Sequence, residues 1–494
     1  RAGIHLSQAP ARTVLGHPAG LATVFLTEMW ERLSFYGMRA LLILFLVDQV
    51  AHGGLALSDR TAAAIYGLYV GGTYLACLPG GWIGDRVSGC QRAVLYGGIA
   101  IALGHLILGV APTASTFYFG LFVIVIGTGL LKPNAGAIVA QLYPEGGARR
   151  DAGFTIYYIG VNIGATLGPL IAGLLAQRYG WPAGFMTASV GMALGVLQFL
   201  WGRRLLGSAG AEPSERAGHA ATRSLLLASV LLAALVALVW TRVVPIAPIA
   251  FEHASTTAVI AMMILYFAYL LLGAGLTRIE RRRIYAVMVL FGASVLFWAG
   301  YEQTGSSLNL FAERYTDRHV FGWDMPASWL QSLNPIYIVL FGPLLSWLWL
   351  ELARRRMEPS TTLKFVAGLM GMASGFAVMA VASRLVVGGH RVGLGWLSVT
   401  FLLHTWGELA LSPVGLSAVS KLVPPRFVSQ SLGVFFVSLS VGNLLAGRIA
   451  GGFAANELTA MPGQFMFIFW FGAITAAALI ALLPLMRRWS AGAN

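Results

Sequence analysis

Glu28-Met29-Trp30-Glu31-Arg32 sits inside an otherwise apolar run from Leu21 to Val47. At about 1.5 Å per residue, such a run crosses a hydrocarbon layer of roughly 30 Å. Three charges therefore lie at membrane depth on one helix. Facing lipid, each costs roughly 2.5–3.5 kcal/mol on an insertion scale. A chain carries them only if they face a wet cavity or one another. Positions 28, 31 and 32 are spaced i, i+3, i+4, so all three share one helical face. An ionisable stripe at that depth points to a transport pathway or a proton relay.

The rest of the chain agrees. Of 494 residues, 57% are hydrophobic and 11% charged, with a mean hydropathy of +0.75. A soluble domain carries about 25% charged residues. The composition predicts an all-α polytopic membrane protein of about fourteen spans. These fall near 21–48, 62–84, 93–111, 116–138, 153–176, 184–202, 224–241, 257–277, 285–311, 328–352, 364–386, 393–419, 427–452 and 464–486. An even number leaves both termini on one side. The polar stretch Gly207–Arg223 separates six spans from the rest. The next two are almost purely aliphatic and read as a peripheral hairpin without interior charge, dispensable for chemistry. The expected organisation is a six-helix lobe over 1–205, a loop and extra helix pair over 206–280, and a second six-helix lobe over 281–494. Six plus two plus six is a pattern of two-lobed secondary transporters.

The net charge of +14 sits mostly in short loops: Arg86 and Arg92; Arg149 and Arg150; Arg203 and Arg204; Arg278 and Arg281–Arg283; Arg354–Arg356; Lys421 and Arg426; Arg487 and Arg488. Alternate loops are much poorer in Lys and Arg. This is the positive-inside pattern of a cytoplasmic face, not a nucleic-acid footprint, and it predicts both termini in the cytoplasm. The two cysteines, Cys77 in an apolar run and Cys90 in an Arg-flanked loop, suit neither a disulfide nor a metal site. The polar N-terminal tail and the length of the first apolar run argue against a cleavable signal.

Several motifs narrow the reading. Gly81-Trp82-Ile83-Gly84-Asp85-Arg86-Val87-Ser88-Gly89-Cys90-Gln91-Arg92 resembles the loop between helices two and three of the major facilitator superfamily. Gly127–Asn134 (GTGLLKPN) places Lys132 in span four; Asp151–Gly164 (DAGFTIYYIGVNIG) opens span five. Phe297–Ser307 (FWAGYEQTGSS) lies in span nine, and Gly407–Ser417 (GELALSPVGLS) places Glu408 in span twelve, which are helices seven and ten of the two-lobe scheme once the extra pair is set aside. With Glu28–Arg32, these resemble, in order, the signatures of the proton-dependent oligopeptide transporter family of that superfamily.

The resemblance implies a major facilitator fold and proton-coupled import of di- and tripeptides by alternating access, with protons as the coupling ion and no cofactor. Another anionic or zwitterionic solute, such as nitrate or a peptide-like drug, is the alternative. By motif position, Arg32, Tyr36 and Lys132 would bind the peptide carboxylate. Asn162, Asn334 and Glu408 would bind the amino terminus, and Tyr74 would line the cavity. Glu28, Glu31, Arg32 and Glu302 would carry proton coupling. Arg39 would meet Glu302 at an outer gate, and Lys132 would meet Glu408 at an inner one. Partners would be the peptide and the lipid bilayer of a bacterial inner membrane, with a monomer as the working unit. Phe35, often tyrosine in the family, and Phe435, often tryptophan, depart from the pattern and make the pocket more apolar.

The chemistry is consistent without the family. A zwitterionic peptide needs a cationic and an anionic pole, and Arg suits a carboxylate because its planar fork can hold both oxygens. A carboxyl gains proton affinity when desolvated and loses it beside a cation. A glutamate that changes partner during the cycle therefore couples protons to motion. An enzyme would need a nucleophile–base pair or metal ligands, and no such constellation lies at a plausible depth. His105 and His404 are lone imidazoles in apolar spans and read as packing residues. Bland roles stay open for others: a static pair for Glu31 with Arg32, an interfacial position for Lys132, helix–helix contact for Asn162, relief of a kink for Asn334.

Overall fold

The computed structural model describes residues 13–490 apart from 15, 111–112, 146, scattered positions between 214 and 246, 425–426 and 453–457. Fourteen α-helices are described: α1 Gly20–Val47, α2 Asp59–Ile83, α3 Cys90–Val110, α4 Ala114–Gln141, α5 Gly147–Tyr179, α6 Trp181–Gly202, α7 Pro248–Leu272, α8 Arg278–Tyr301, α9 Ser307–Tyr315, α10 Leu333–Arg354, α11 Thr361–Val387, α12 Leu394–Leu422, α13 Val428–Gly451 and α14 Met461–Trp489. Three pairings of two-residue strands are the described β-structure. Eleven of the described helical segments are long and apolar enough to cross a membrane. The span expected at 224–241 falls largely outside the described residues.

Three expectations need correcting. The helix expected from 285 begins at Arg278, because Thr277 and Glu280 form a reciprocal capping box. The Arg-rich loop thus becomes the first turn of α8. The same span does not run through to 311: it breaks after Tyr301 into a 3₁₀ turn, Glu302–Gly305, and resumes as α9. The second extra helix covers 248–272 rather than 257–277 and is not free of interior charge. Its first turns carry Glu252, which is 1% exposed and paired with Arg448 at 2.9 Å.

The chain groups into two compact units. Unit 1 is Arg1–Gly37, Ala76–Gly168 and Phe185–Val244; unit 2 is Met38–Leu75, Pro169–Gly184 and Pro245–Asn494. Grouping follows packing, so α1, α2, α5 and α6 each contribute to both.

In unit 1, α5 approaches α1 along Gly160, Gly164 and Gly168, spaced by four. A Cβ on Gly160 would lie 2.9 Å from Phe25, and one on Gly164 would strike the Met29 carbonyl and lie 2.9 Å from Arg32 Cβ. Small residues let helix backbones meet where lipid supplies no hydrophobic drive. α2 and α4 also touch at backbone. Pro133 cannot donate to the Gly129 carbonyl, and a Cβ on Gly80 would strike that carbonyl. Asn134 fastens the contact by donating to Gly80 O at 3.0 Å and Leu130 O at 2.7 Å. Below it, Gln91 donates to Gly207 O and Ala209 O and accepts from Arg203, which seals the chain after α6 onto α3.

In unit 2, Arg314 forks onto Asp59 at 2.6 and 2.7 Å. Just past α1, burial opposes the charge on Asp48. Donors from Trp181, His52 and the Gln49 N–H outweigh burial and hold its carboxyl below the usual range.

Candidate functional site

The first cluster lies in unit 1, where the glycine contacts of α5 fix the back of α1. Glu28, Glu31 and Arg32 are 2%, 0% and 3% exposed. Arg32 Nε pairs with Glu31 Oε2 and lies 3.3 Å from Glu28 Oε1. The guanidinium sits 4.9 Å from the Phe35 ring centre and 5.9 Å from that of Tyr36. The apolar Phe35 thus gives Arg32 a cation–π face without competing for its hydrogen bonds. Tyr157 lies within electrostatic reach of Glu28, Arg32 and Glu31. Glu28 Oε2, Glu31 Oε1 and Arg32 Nη2 are buried with no hydrogen-bond partner among the described residues. Lys132 lies within electrostatic reach of Arg32, Glu31, Tyr36 and Cys77. Asn162 donates to the Tyr158 carbonyl of its own helix at 2.9 Å.

Unit 2 holds two further clusters. Arg39 Nη2 reaches Glu302 Oε2 at 2.6 Å and Thr304 Oγ1 at 3.4 Å, while Nε donates to the Tyr66 hydroxyl. The break after α8 makes this geometry, because the turn sets Glu302 and Thr304 against one guanidinium. Gly305 is required there: a Cβ would strike the Tyr66 hydroxyl and sit 3.1 Å from Arg39 Nε. The second cluster centres on Glu408, whose Oε2 accepts from Tyr301 at 2.6 Å and from Asn334 at 2.9 Å. Asn334 also reaches Thr405 Oγ1 at 3.0 Å. Tyr301 is held by Phe297, stacked at 5.5 Å, and by the edge of Trp298 at 5.2 Å. His404 packs against Phe376 at 4.9 Å between ring centres.

The structure thus brings Glu28, Glu31 and Arg32 together, with Tyr36 alongside; it also joins Arg39 to Glu302, and Asn334 to Glu408. Tyr74 is half-buried on α2. Lys132 and Glu408 belong to different units. Sequence reasoning missed Tyr157, Tyr66, Tyr301 and Thr304 as partners of the charged groups. Tyr157, Tyr301 and Thr304 lie inside stretches already singled out, and a hydroxyl beside a buried charge was the available signal.

Comparison with known proteins places this geometry in a family. The POT family model matches residues 91–468. Peptide transporter YePEPT of Yersinia enterocolitica is 40% identical over 97% of this chain and 96% of its own. A di-/tripeptide transporter of Lactococcus lactis is 34% identical over 90% of this chain and 92% of its own. The crystal structure of a point mutant of a peptide transporter POT, in complex with alafosfalin, superposes with a TM-score of 0.91 at 35% identity, covering 98% of each chain. The matched length, the in-order motifs and the whole-chain superposition agree: this multi-pass membrane protein belongs to the POT family.

Proposed function

We propose that this chain imports di- and tripeptides together with protons, by alternating access, across a bacterial cell membrane. The working unit is a single chain with both termini in the cytoplasm, and the proton is the coupling ion. One observation carries the reading. A fully buried cluster holds two carboxylates against one guanidinium, with an oxygen on each carboxylate and one guanidinium nitrogen lacking a hydrogen-bond partner among the described residues. Buried charge of that kind is costly unless neutralised. With Lys132 in electrostatic reach the two carboxylates and two cations balance, so one added proton leaves a positive charge that a substrate carboxylate at Arg32 Nη2 can offset. Arg32 and Lys132 supply cationic groups for the peptide carboxylate. Glu408, oriented by Tyr301 and Asn334, supplies the anionic group for the amino terminus. The names of the Yersinia and Lactococcus relatives support peptides as the cargo.

The substrate assignment is tested at Lys132. Lys132→Ala should weaken binding of free-carboxylate dipeptides about tenfold or more, as expected for a lost charge-assisted contact, and leave dipeptide amides nearly unaffected. Equal loss for both ligands, measured by calorimetry on purified protein, would make the lysine structural.

A further inference from the structure

We infer that Glu252 and Arg448 form a brace through which the extra helix α7 positions the Glu302 turn for transport. This inference rests on the transport reading above. The buried face of α7 is continuous: Glu252, Thr256, Val259, Met263, Phe267 and Leu270 recur at three- and four-residue steps. It is pinned at both ends to α13. At one end Arg448 Nε lies 2.9 and 3.1 Å from the two oxygens of Glu252, and Arg448 Nη2 donates to His253 O at 3.1 Å. Thr256 Oγ1 adds a hydrogen bond to Glu252 Oε1 at 2.6 Å. At the other end the Tyr266 hydroxyl meets Ser431 Oγ at 3.0 Å. Between them Phe267 packs on Phe291 of α8 at 5.5 Å between ring centres.

The anchor on α13 leads directly to the turn. Ala446, two residues before Arg448, offers its carbonyl to Gln303 Nε2 at 2.9 Å. Gln303 also donates to Ala299 O at 3.2 Å and accepts from Ser307 Oγ at 2.6 Å, so its amide bridges the end of α8, the start of α9 and α13. Its chain neighbour Glu302 holds Arg39. A peripheral helix that only filled space against lipid would need no buried carboxylate. Here the carboxylate is spent on the backbone segment of α13 that seats Gln303. Glu252 and Arg448 are therefore positioning residues, acting on Glu302 and Arg39 through Ala446 and Gln303.

The test uses the full chain in proteoliposomes and in detergent. Glu252→Gln and Arg448→Ala should each lower kcat of gradient-driven dialanine uptake about tenfold, equivalent to about 1.4 kcal/mol. KM should stay within about twofold, well under that 1.4 kcal/mol step. Both should raise backbone hydrogen exchange at residues 302–306, while α3 and α4 exchange as before. Because a single change strands a charge, Glu252→Met with Arg448→Leu tests the brace with no stranded charge and should show the same kcat loss and the same exchange. The charge exchange Glu252→Arg with Arg448→Glu should recover at least part of the lost kcat. Wild-type kcat and wild-type exchange at 302–306 in the folded variants, the double apolar variant included, would overturn the brace. Hydrogen exchange reads the turn without transport. Absence of driven uptake by the unmodified protein would therefore count against the transport reading, and unchanged exchange against the brace.

Discussion

A carboxylate at membrane depth is defined by its donors, and buried Glu302 and half-buried Glu408 differ in them. Glu302 faces a guanidinium, a full charge partner. Glu408 is held by neutral donors, Tyr301 and Asn334. Such an acid is oriented but not electrically balanced, so it can receive a substrate ammonium or a proton. Removing one donor should be felt strongly, since hydrogen bonds to charged groups contribute roughly 1.5–3 kcal/mol each. Tyr301→Phe is expected to weaken binding of dialanine about tenfold or more, within that range, and to affect N-acetylated dialanine much less. Competition binding against a labelled peptide would check it; equal effects on both ligands would show that Tyr301 serves only packing.

At the scale of elements, the sequence is legible wherever polarity or periodicity is local. The Glu28–Arg32 face follows from spacing alone, and every long described helix has its counterpart among the expected spans. The break at Glu302–Gly305 lies in a polar run, Glu302–Ser307, that the span expected over 285–311 passed straight through; what the turn accommodates, the Tyr66 hydroxyl and the Arg39 guanidinium, lies more than two hundred residues earlier in the chain. The start of α7 was hidden for a related reason. Glu252 and His253 look like loop residues until Arg448 is brought beside them. The Asp151–Gly164 stretch was readable as a motif, while its physical reason appears only when α5 lies on α1. Gly164→Ala tests that reason. The added methyl would strike the Met29 carbonyl and press on Arg32 Cβ, and overpacking of this kind costs typically about 1–3 kcal/mol. Driven uptake should be lost with a clear drop in thermal stability in detergent, whereas Gly136→Ala, where a Cβ meets nothing within 4 Å, should be silent. Equal behaviour of the two variants would contradict the close-contact account.

For the molecule as a whole, the proposed coupling ties the Glu28, Glu31 and Arg32 cluster of unit 1 to peptide import. A neutral zwitterionic peptide carried with one proton moves one net charge. A potential of 100 mV then supplies about 2.3 kcal/mol, enough for roughly fifty-fold accumulation. Glu28 is the carboxylate of the cluster that holds the longer contact to Arg32, 3.3 Å, and is the group assigned to exchange the proton. The most direct measurement is uptake of labelled dialanine into proteoliposomes under an imposed inward proton gradient, beside counterflow exchange without one, for the unmodified protein and for Glu28→Gln. The account predicts concentrative uptake that a protonophore abolishes in the unmodified protein, and loss of that uptake with exchange retained in Glu28→Gln. Concentrative, protonophore-sensitive uptake by Glu28→Gln equal to that of the unmodified protein would contradict it.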